Sequence, residues 1–250
     1  MPQVAELTDL YSNFMLGPRP GPGVCELCFD LTDGRRRCIR CERVPESLDA
    51  VAPVSYSVAH EQLHHALAGY KRPPAFVARR FEVELAAVLW RFVAAHEPCL
   101  AGAAATDEFE LVTTVPSSNR QRDHSHPLHR IVGELAGPTR ARFGRVLSRT
   151  ASTVQQRTYD PTKFEAIRDL TGTSVLLIDD TWTTGANARS AATALKQAGA
   201  TTVAALVIGR HLHREYGDND RRLRALPSPF DWKNCALHHR RANRVIARRF

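Results

Sequence analysis

The segment VLLIDDTWTTGAN, residues 175–187, constrains this chain more than any other stretch. Its apolar run, Val175 to Ile178, predicts a strand buried on both faces. Two adjacent carboxylates, Asp179 and Asp180, end the run, and a hydroxyl-rich turn, Thr181-Trp182-Thr183-Thr184-Gly185, follows. The Ala-rich stretch from Ala186 to Ala198 then has helical periodicity. In a parallel α/β sheet such a strand–loop–helix unit places its loop at the carboxyl edge, where ligands bind. Free N–H groups at the helix start, three threonine hydroxyls and the helix dipole suit a phosphate. Gly185 permits a close backbone approach to an anion that a Cβ would hinder. The two carboxylates would repel a phosphate unless they face another part of the ligand. They therefore read as holders of sugar hydroxyls or of a metal ion, at a solvent-facing strand end. The rival reading of the segment is an ordinary buried strand ending in a capped helix. A Walker A loop is excluded, because no GxxxxGK[ST] follows a predicted strand, and a Rossmann loop is excluded because GxGxxG is absent.

A second signal lies near the other end. Cys25 and Cys28 form one C-x2-C knuckle and Cys38 and Cys41 another, with residues 29–37 between them. Four thiolates in two such pairs suit a tetrahedral structural zinc with no open position for catalysis. Gly34 and Arg35 to Arg37 read as the tip of a small ribbon. A disulfide framework and a redox pair are the rival readings. Residues 1–24 lack an apolar leader core and carry four prolines, so no signal peptide and a reducing, cytoplasmic setting are expected. An iron–sulfur centre is the competing metal reading.

Charge is unevenly spread. Lys and Arg number 34 against 26 Asp and Glu, and residues 210–250 carry 11 of the former and only 4 of the latter. This basic extension is a candidate contact for nucleic acid or an acidic protein, with a solvated basic helix as the plain alternative. No stretch approaches the roughly 20 apolar residues of a membrane span. The expected organisation is a lead-in and ribbon over 1–50, an α/β domain over 51–209 and the basic extension over 210–250.

Within the α/β region the pattern predicts a strand over Val51–Ser57, helices over Val58–Tyr70 and Ala75–Ala95, a loop over 97–108 and a strand over Glu110–Val115. Residues 1–24, Pro/Gly-rich around positions 17–23, read as an irregular lead-in. His124 and His126 adjoin the loop after the last of these strands and are candidates to face it, with surface histidines as the ordinary reading. Cys235 and His238 have ligand-like spacing that His211 and His213 are candidates to complete as a second metal site. The ordinary alternative is a Cys packed as a small hydrophobe beside Trp232 and Leu237. Cys99 has no partner nearby in sequence.

The order of hydrophobic strand, two acids and T-T-G turn resembles the 5-phosphoribosyl-1-pyrophosphate (PRPP) loop of type I phosphoribosyltransferases. The ribbon, the YSVAHEQLHHALAGYK stretch ending in Tyr70-Lys71, the strand-PSSNR-QR unit and a Gln/Arg loop extend the resemblance to the ComF-type subgroup, from about Cys25 to Gly209. The resemblance implies that Asp179 and Asp180 hold the ribose hydroxyls and that Thr181, Thr183, Thr184, Gly185 and Ala186 bind the 5′-phosphate. It implies that Ser117, Ser118, Asn119 and Arg120, with Arg122, grip pyrophosphate. Arg149 and Arg157, from the segment RTASTVQQRTYDPTKF that matches a mobile hood, are candidates to close over the leaving group. PRPP with Mg2+ is the implied ligand and phosphoribosyl transfer to a nitrogen nucleophile the implied reaction. A regulatory role with DNA is the alternative, because the ComF group is associated with DNA uptake. Two departures stand out: Trp182 replaces a small apolar residue, and Asp-His-Ser-His-Pro-Leu follows Arg122 in place of the group's R-G-F-N-Q stretch.

Overall fold

The computed structural model describes residues 2–72, 74–117, 123–152, 154–155 and 157–238. In chain order the first half contains α1 (Pro2–Asp9), α2 (Ile39–Arg43), β1 (Ala50–Val58), α3 (Gln62–Gly69), α4 (Ala75–Ala103) and β2 (Leu111–Thr114). The second half contains α5 (Pro127–Arg130), a π-helical turn (Ile131–Leu135), α6 (Gly137–Arg140), β3 (Leu147–Arg149) and β4 (Phe164–Ala166). It continues with β5 (Ser174–Trp182), α7 (Ala186–Gln197), β6 (Thr202–Leu212) and α8 (Asn219–Arg224).

Four strands form a parallel sheet in the order β1–β6–β5–β2, flanked by helices. Side chains alternate across a strand, so each apolar run splits between two cores. Val175 and Leu177 of β5 join Val203, Ala205 and Val207 of β6 on one face, covered by Ala188, Ala191, Ala192 and Leu195 of α7. Leu176 and Ile178 join Ala204, Leu206 and Ile208 on the other, beneath Leu63 and Leu67 of α3 and Leu85, Leu89 and Phe92 of α4. This division explains why β5 needs a continuous apolar run instead of alternation. The four-cysteine ribbon shares the α7 face, where Cys25, Cys28, Cys38 and Cys41 are all buried.

Four local expectations are revised. Residues 1–24 are not wholly irregular: α1 packs on α4, Tyr11 Oη donates to Glu84 Oε2 at 2.7 Å, and Tyr11 and Met15 enter the core. Residues 97–103 are helix, not loop, despite Pro98. Proline forfeits one backbone bond, but Cys99, Leu100 and Ala101 are buried by continuing the helix, and alanine is the best helix former. Helix α3 starts at Gln62, because His60 takes a positive φ of 67° and breaks the chain direction after β1. The bulk of Trp182 goes inward: its ring is buried against the α7 side of the sheet.

The chain after β6 folds back over α4. Phe230, Ala236 and Leu237 are buried there, and the Phe230 N–H and Trp232 Nε1–H donate to Ser12 O at 2.7 Å and Ser12 Oγ at 2.8 Å. Strand β6 itself runs on through Arg210, His211 and Leu212. Among the described residues no helix is long and apolar enough to cross a membrane.

Candidate functional site

β2 ends beside Ile178 of β5, β5 runs on through Trp182, and the carboxyl edge they form opens onto a cleft of about 860 Å³. One wall is the end of β5 and the turn after it: Asp179, Asp180 and Thr181 from the strand, then Thr183, Thr184 and Gly185, with Ala186 and Asn187 beginning α7. Gly185 has φ +75°, the left-handed conformation glycine adopts without strain, and turns the chain sharply into the helix. The Thr184 hydroxyl donates to the Arg157 carbonyl at 3.1 Å and accepts from the Ala186 N–H at 3.3 Å, which ties the turn to the segment facing it. The next N–H groups of α7 have no partner within the helix and carry its positive dipole end.

The two acids differ in state. Asp180 is buried, accepts from Tyr70 Oη at 2.6 Å and forms an ion pair with Lys71 Nζ. Burial pushes its carboxyl up, but Lys71 and Tyr70 outweigh burial and hold it below the ordinary value. Asp179 is half-buried, accepts the Asp180 N–H at 2.9 Å and has no ion pair among the described residues. Burial first, and then the neighbouring Asp180 charge, push its carboxyl up to about 8. The expectation of two equivalent solvent-facing acids is thus corrected: Tyr70 and Lys71 cover Asp180, and Asp179 is left with an uncompensated carboxyl.

The opposite wall is cationic. Arg149, the last residue of β3, lines the cleft, and its buried Nη1 has no hydrogen-bond partner. The β3–β4 pair sets Arg149 directly opposite Phe164, so the segment between them leaves and returns at one place. Arg157 from that segment and Lys163 beside β4 line the same cleft. An oxyanion between these cations and the helix start satisfies both walls. Ser117 lies at the cleft mouth, but its N–H donates to Asp123 Oδ1 at 2.6 Å. Ser118, Asn119, Arg120 and Arg122 lie outside the described residues.

Lys163 and Asn187 were not singled out as site residues. Lys163 belongs to the segment that supplies Arg149 and Arg157, and a lysine there carries no spacing signal of its own. His126, for which the surface was the ordinary reading and the loop the alternative, lines the cleft; burial and the nearby Lys71 push its imidazole down to about 4, so it stays neutral near pH 7. Tyr70 and Lys71 stood out only as a helix-ending pair.

The four-cysteine group meets the demands of zinc. Its sulfurs all lie within 4.8 Å of one another. Cys28 Sγ and Cys38 Sγ are 3.7 Å apart, against about 3.8 Å for two corners of a tetrahedron with Zn–S near 2.3 Å. Phe29, at φ 59°, and Gly34, at φ 79°, make the tight returns that bring the knuckles together. Arg189 donates to Cys41 Sγ, and Arg210 to the Cys28 carbonyl at 3.1 Å, so guanidinium charge faces the thiolates.

The pairing of Cys235 and His238 with His211 and His213 does not form. His211 and His213 contact each other, Nε2 to Nε2 at 3.2 Å, at the end of β6. Cys235 and His238 lie instead against α4, beside His96 and Cys99. No protein-family model matches this chain, and no curated protein matches it.

Proposed function

We propose that this chain is a type I phosphoribosyltransferase-like protein of the ComF type, which binds PRPP and transfers its phosphoribosyl group to a nitrogen nucleophile. The observation that carries the reading is the meeting, in one cleft, of Asp179, the Thr181–Gly185 turn and the cations Arg149 and Arg157. PRPP needs a diol acceptor, a 5′-phosphate cradle and positive charge for the leaving group, and the cleft offers all three.

In this reading the C1–O bond breaks with its electron pair leaving on pyrophosphate, the nucleophile's nitrogen bonds to C1, and its proton passes to solvent. Arg149 and Arg157 stabilise the charge that develops on the leaving oxygen, and the turn fixes the far end of the sugar. Asp179 accepts from ribose hydroxyls, while Lys71 and Tyr70 hold Asp180 in place behind it. Mg2+, a cation with a preference for oxygen donors, would offset pyrophosphate charge when bound with the ligand. The donor set fits such a cation, because Asp179 offers carboxylate oxygens that no ion pair consumes among the described residues.

Thermal shift with PRPP and Mg2+, paired with pyrophosphate release over a panel of bases, tests the reading. Ligand at about a hundred times its Kd stabilises a fold by about 2.7 kcal/mol. The absence of any shift at millimolar PRPP would overturn the proposal. Binding without turnover would instead favour a regulatory role with nucleic acid, to which the exposed Arg35, Arg40 and Arg43 of the ribbon and the basic charge of residues 210–250 also point.

A further inference from the structure

A second group of metal-ligand side chains lies remote from the cleft, on the far face of the sheet. His96 and Cys99 stand three residues apart on α4 and so share one helix face. Cys235 and His238 stand three apart in the segment that folds back over α4. The four ligand atoms lie within 4.8 Å of one another. Cys235 Sγ is 3.5 Å from His238 Nδ1, and Cys99 Sγ is 4.0 Å from the same nitrogen. A tetrahedral zinc with Zn–S near 2.3 Å and Zn–N near 2.0 Å sets a sulfur and a nitrogen about 3.5 Å apart.

The histidines are presented as ligands. His96 Nε2–H donates to the Trp232 carbonyl at 2.9 Å, which fixes the tautomer and leaves Nδ1 with its lone pair. That Nδ1 is buried and has no hydrogen-bond partner among the described residues. A ring nitrogen bound to backbone carbonyl while the other faces the metal is the usual outer support of a ligating histidine. At His238, Nδ1 accepts the Cys235 N–H at 3.3 Å and is therefore unprotonated; a bound metal would take its lone pair over from this long contact. The two rings meet edge to face, with centroids 5.5 Å apart.

We infer that His96 Nδ1, Cys99 Sγ, Cys235 Sγ and His238 Nδ1 form a second, structural zinc site of two thiolates and two imidazoles that clips the C-terminal segment onto α4. The set is closed, with four protein ligands and no open position, so its role is to hold the chain and not to catalyse. The site explains the buried, unpaired His96 Nδ1, which otherwise costs stability. It also explains two cysteines at long sequence separation that form no disulfide.

Zinc content of the full-length protein, purified without chelator and analysed as folded monodisperse material, tests the inference. Wild type is expected to carry about two zinc ions per chain. Cys235→Ser and His238→Ala each lower the count to about one, as does Cys25→Ser, and Cys25→Ser with Cys235→Ser lowers it to none. Cobalt loaded into the Cys25→Ser protein is expected to show a thiolate charge-transfer band with about half the intensity of the four-thiolate site, because two thiolates replace four. Should Cys99→Ser fail to fold, Cys235→Ser, in a half-exposed turn, carries the same test. Wild type with a single zinc that Cys25→Ser abolishes would overturn the inference, as would an unchanged count in Cys235→Ser or a Cys99–Cys235 disulfide in freshly purified protein.

Discussion

Arg189 Nη2 donates to Cys41 Sγ at 2.8 Å, so the helix that starts at the Gly185 turn is fastened to the four-cysteine centre. The same guanidinium donates to the Arg40 carbonyl at 3.1 Å and lies 5.5 Å from the Trp182 ring. Arg210 makes a parallel link from β6: it pairs with Asp30 at 2.7 Å and donates to the carbonyls of Trp182 and Thr183 at 3.1 and 3.2 Å. Two buried arginines thus connect the ribbon to the underside of the turn that lines the cleft. Four thiolates on one Zn2+ would carry excess negative charge, for which these guanidinium groups supply counter-charge.

Arg189→Met keeps volume and removes that counter-charge. Loss of one partner of a buried charged pair costs about 3–5 kcal/mol, so Tm is expected to fall by roughly 6–20 °C. Zinc release to a chromogenic chelator should be faster than in wild type, and Arg189→Lys should recover part of the loss. An unchanged release rate would mean that Arg189 packs the helix without supporting the metal centre.

Asp179 makes the stability of the free protein fall with rising pH. Its carboxyl titrates at about 8 when folded against an ordinary value of 3.8. Below about pH 4 both states are protonated and no penalty exists. Between there and pH 8 the unfolded chain releases its proton while the folded chain keeps it, so stability declines and then levels off. Asp179→Asn removes that slope: its stability advantage over wild type is expected to grow from about pH 5 to about pH 8, toward an upper bound of roughly 6 kcal/mol. Asp180→Asn acts the other way, because it strands Lys71 and Tyr70, and lowers Tm at neutral pH. Melting curves across this range check both, and a pH-independent difference for Asp179→Asn would refute its raised carboxyl.

Gly185 is needed for two separable reasons. Its φ of +75° strains any L side chain, and a Cβ there would collide with the ring of Trp182. Gly185→Ala is expected to cost roughly 2–4 kcal/mol and to weaken pyrophosphate or PRPP binding at least tenfold. A Trp182→Leu background removes the collision and leaves the backbone strain, so it should restore only part of the binding. Full restoration would show that φ is not limiting.

The contrast between Gly185 and Lys163 shows where sequence reasoning ends. The strand, acids and turn at 175–187 are read locally: apolar run, carboxylates and glycine each have one physical consequence at a known place in a βα unit. The four-cysteine site is also local, since its spacing determines the ligand geometry. Asn187 closes the 175–187 motif and enters the cleft with it, whereas Lys163 and His126 reach the cleft through tertiary packing. The same holds for His96 and Cys99. Cys99 fell in the Ala-rich stretch read as a loop, and the helix forms despite Pro98 because the buried face of α4 outweighs one lost hydrogen bond. His238 lies 139 residues beyond Cys99, a distance no periodicity spans. Asp180 was read as solvent-facing and is buried, because Tyr70 and Lys71 cover it from another element.

The basic end of the chain offers the last test. A cut at Arg210 would remove three residues of β6, the Arg210–Asp30 pair and the carbonyl clamp beneath Thr183, and so is expected to unfold the ligand turn along with the tail. Residues 239–250 carry five arginines and no acid, so deletion after His238 isolates their charge while keeping every ligand of both metal groups. If those arginines meet duplex phosphates, the log–log salt slope of DNA binding is expected to flatten by up to about 4.5, at roughly 0.9 per phosphate. PRPP affinity should stay within about twofold of wild type, because no cleft residue is removed. Filter binding across a salt series measures the slope, and an identical slope in the shortened protein would assign any DNA contact to the arginines of the ribbon instead.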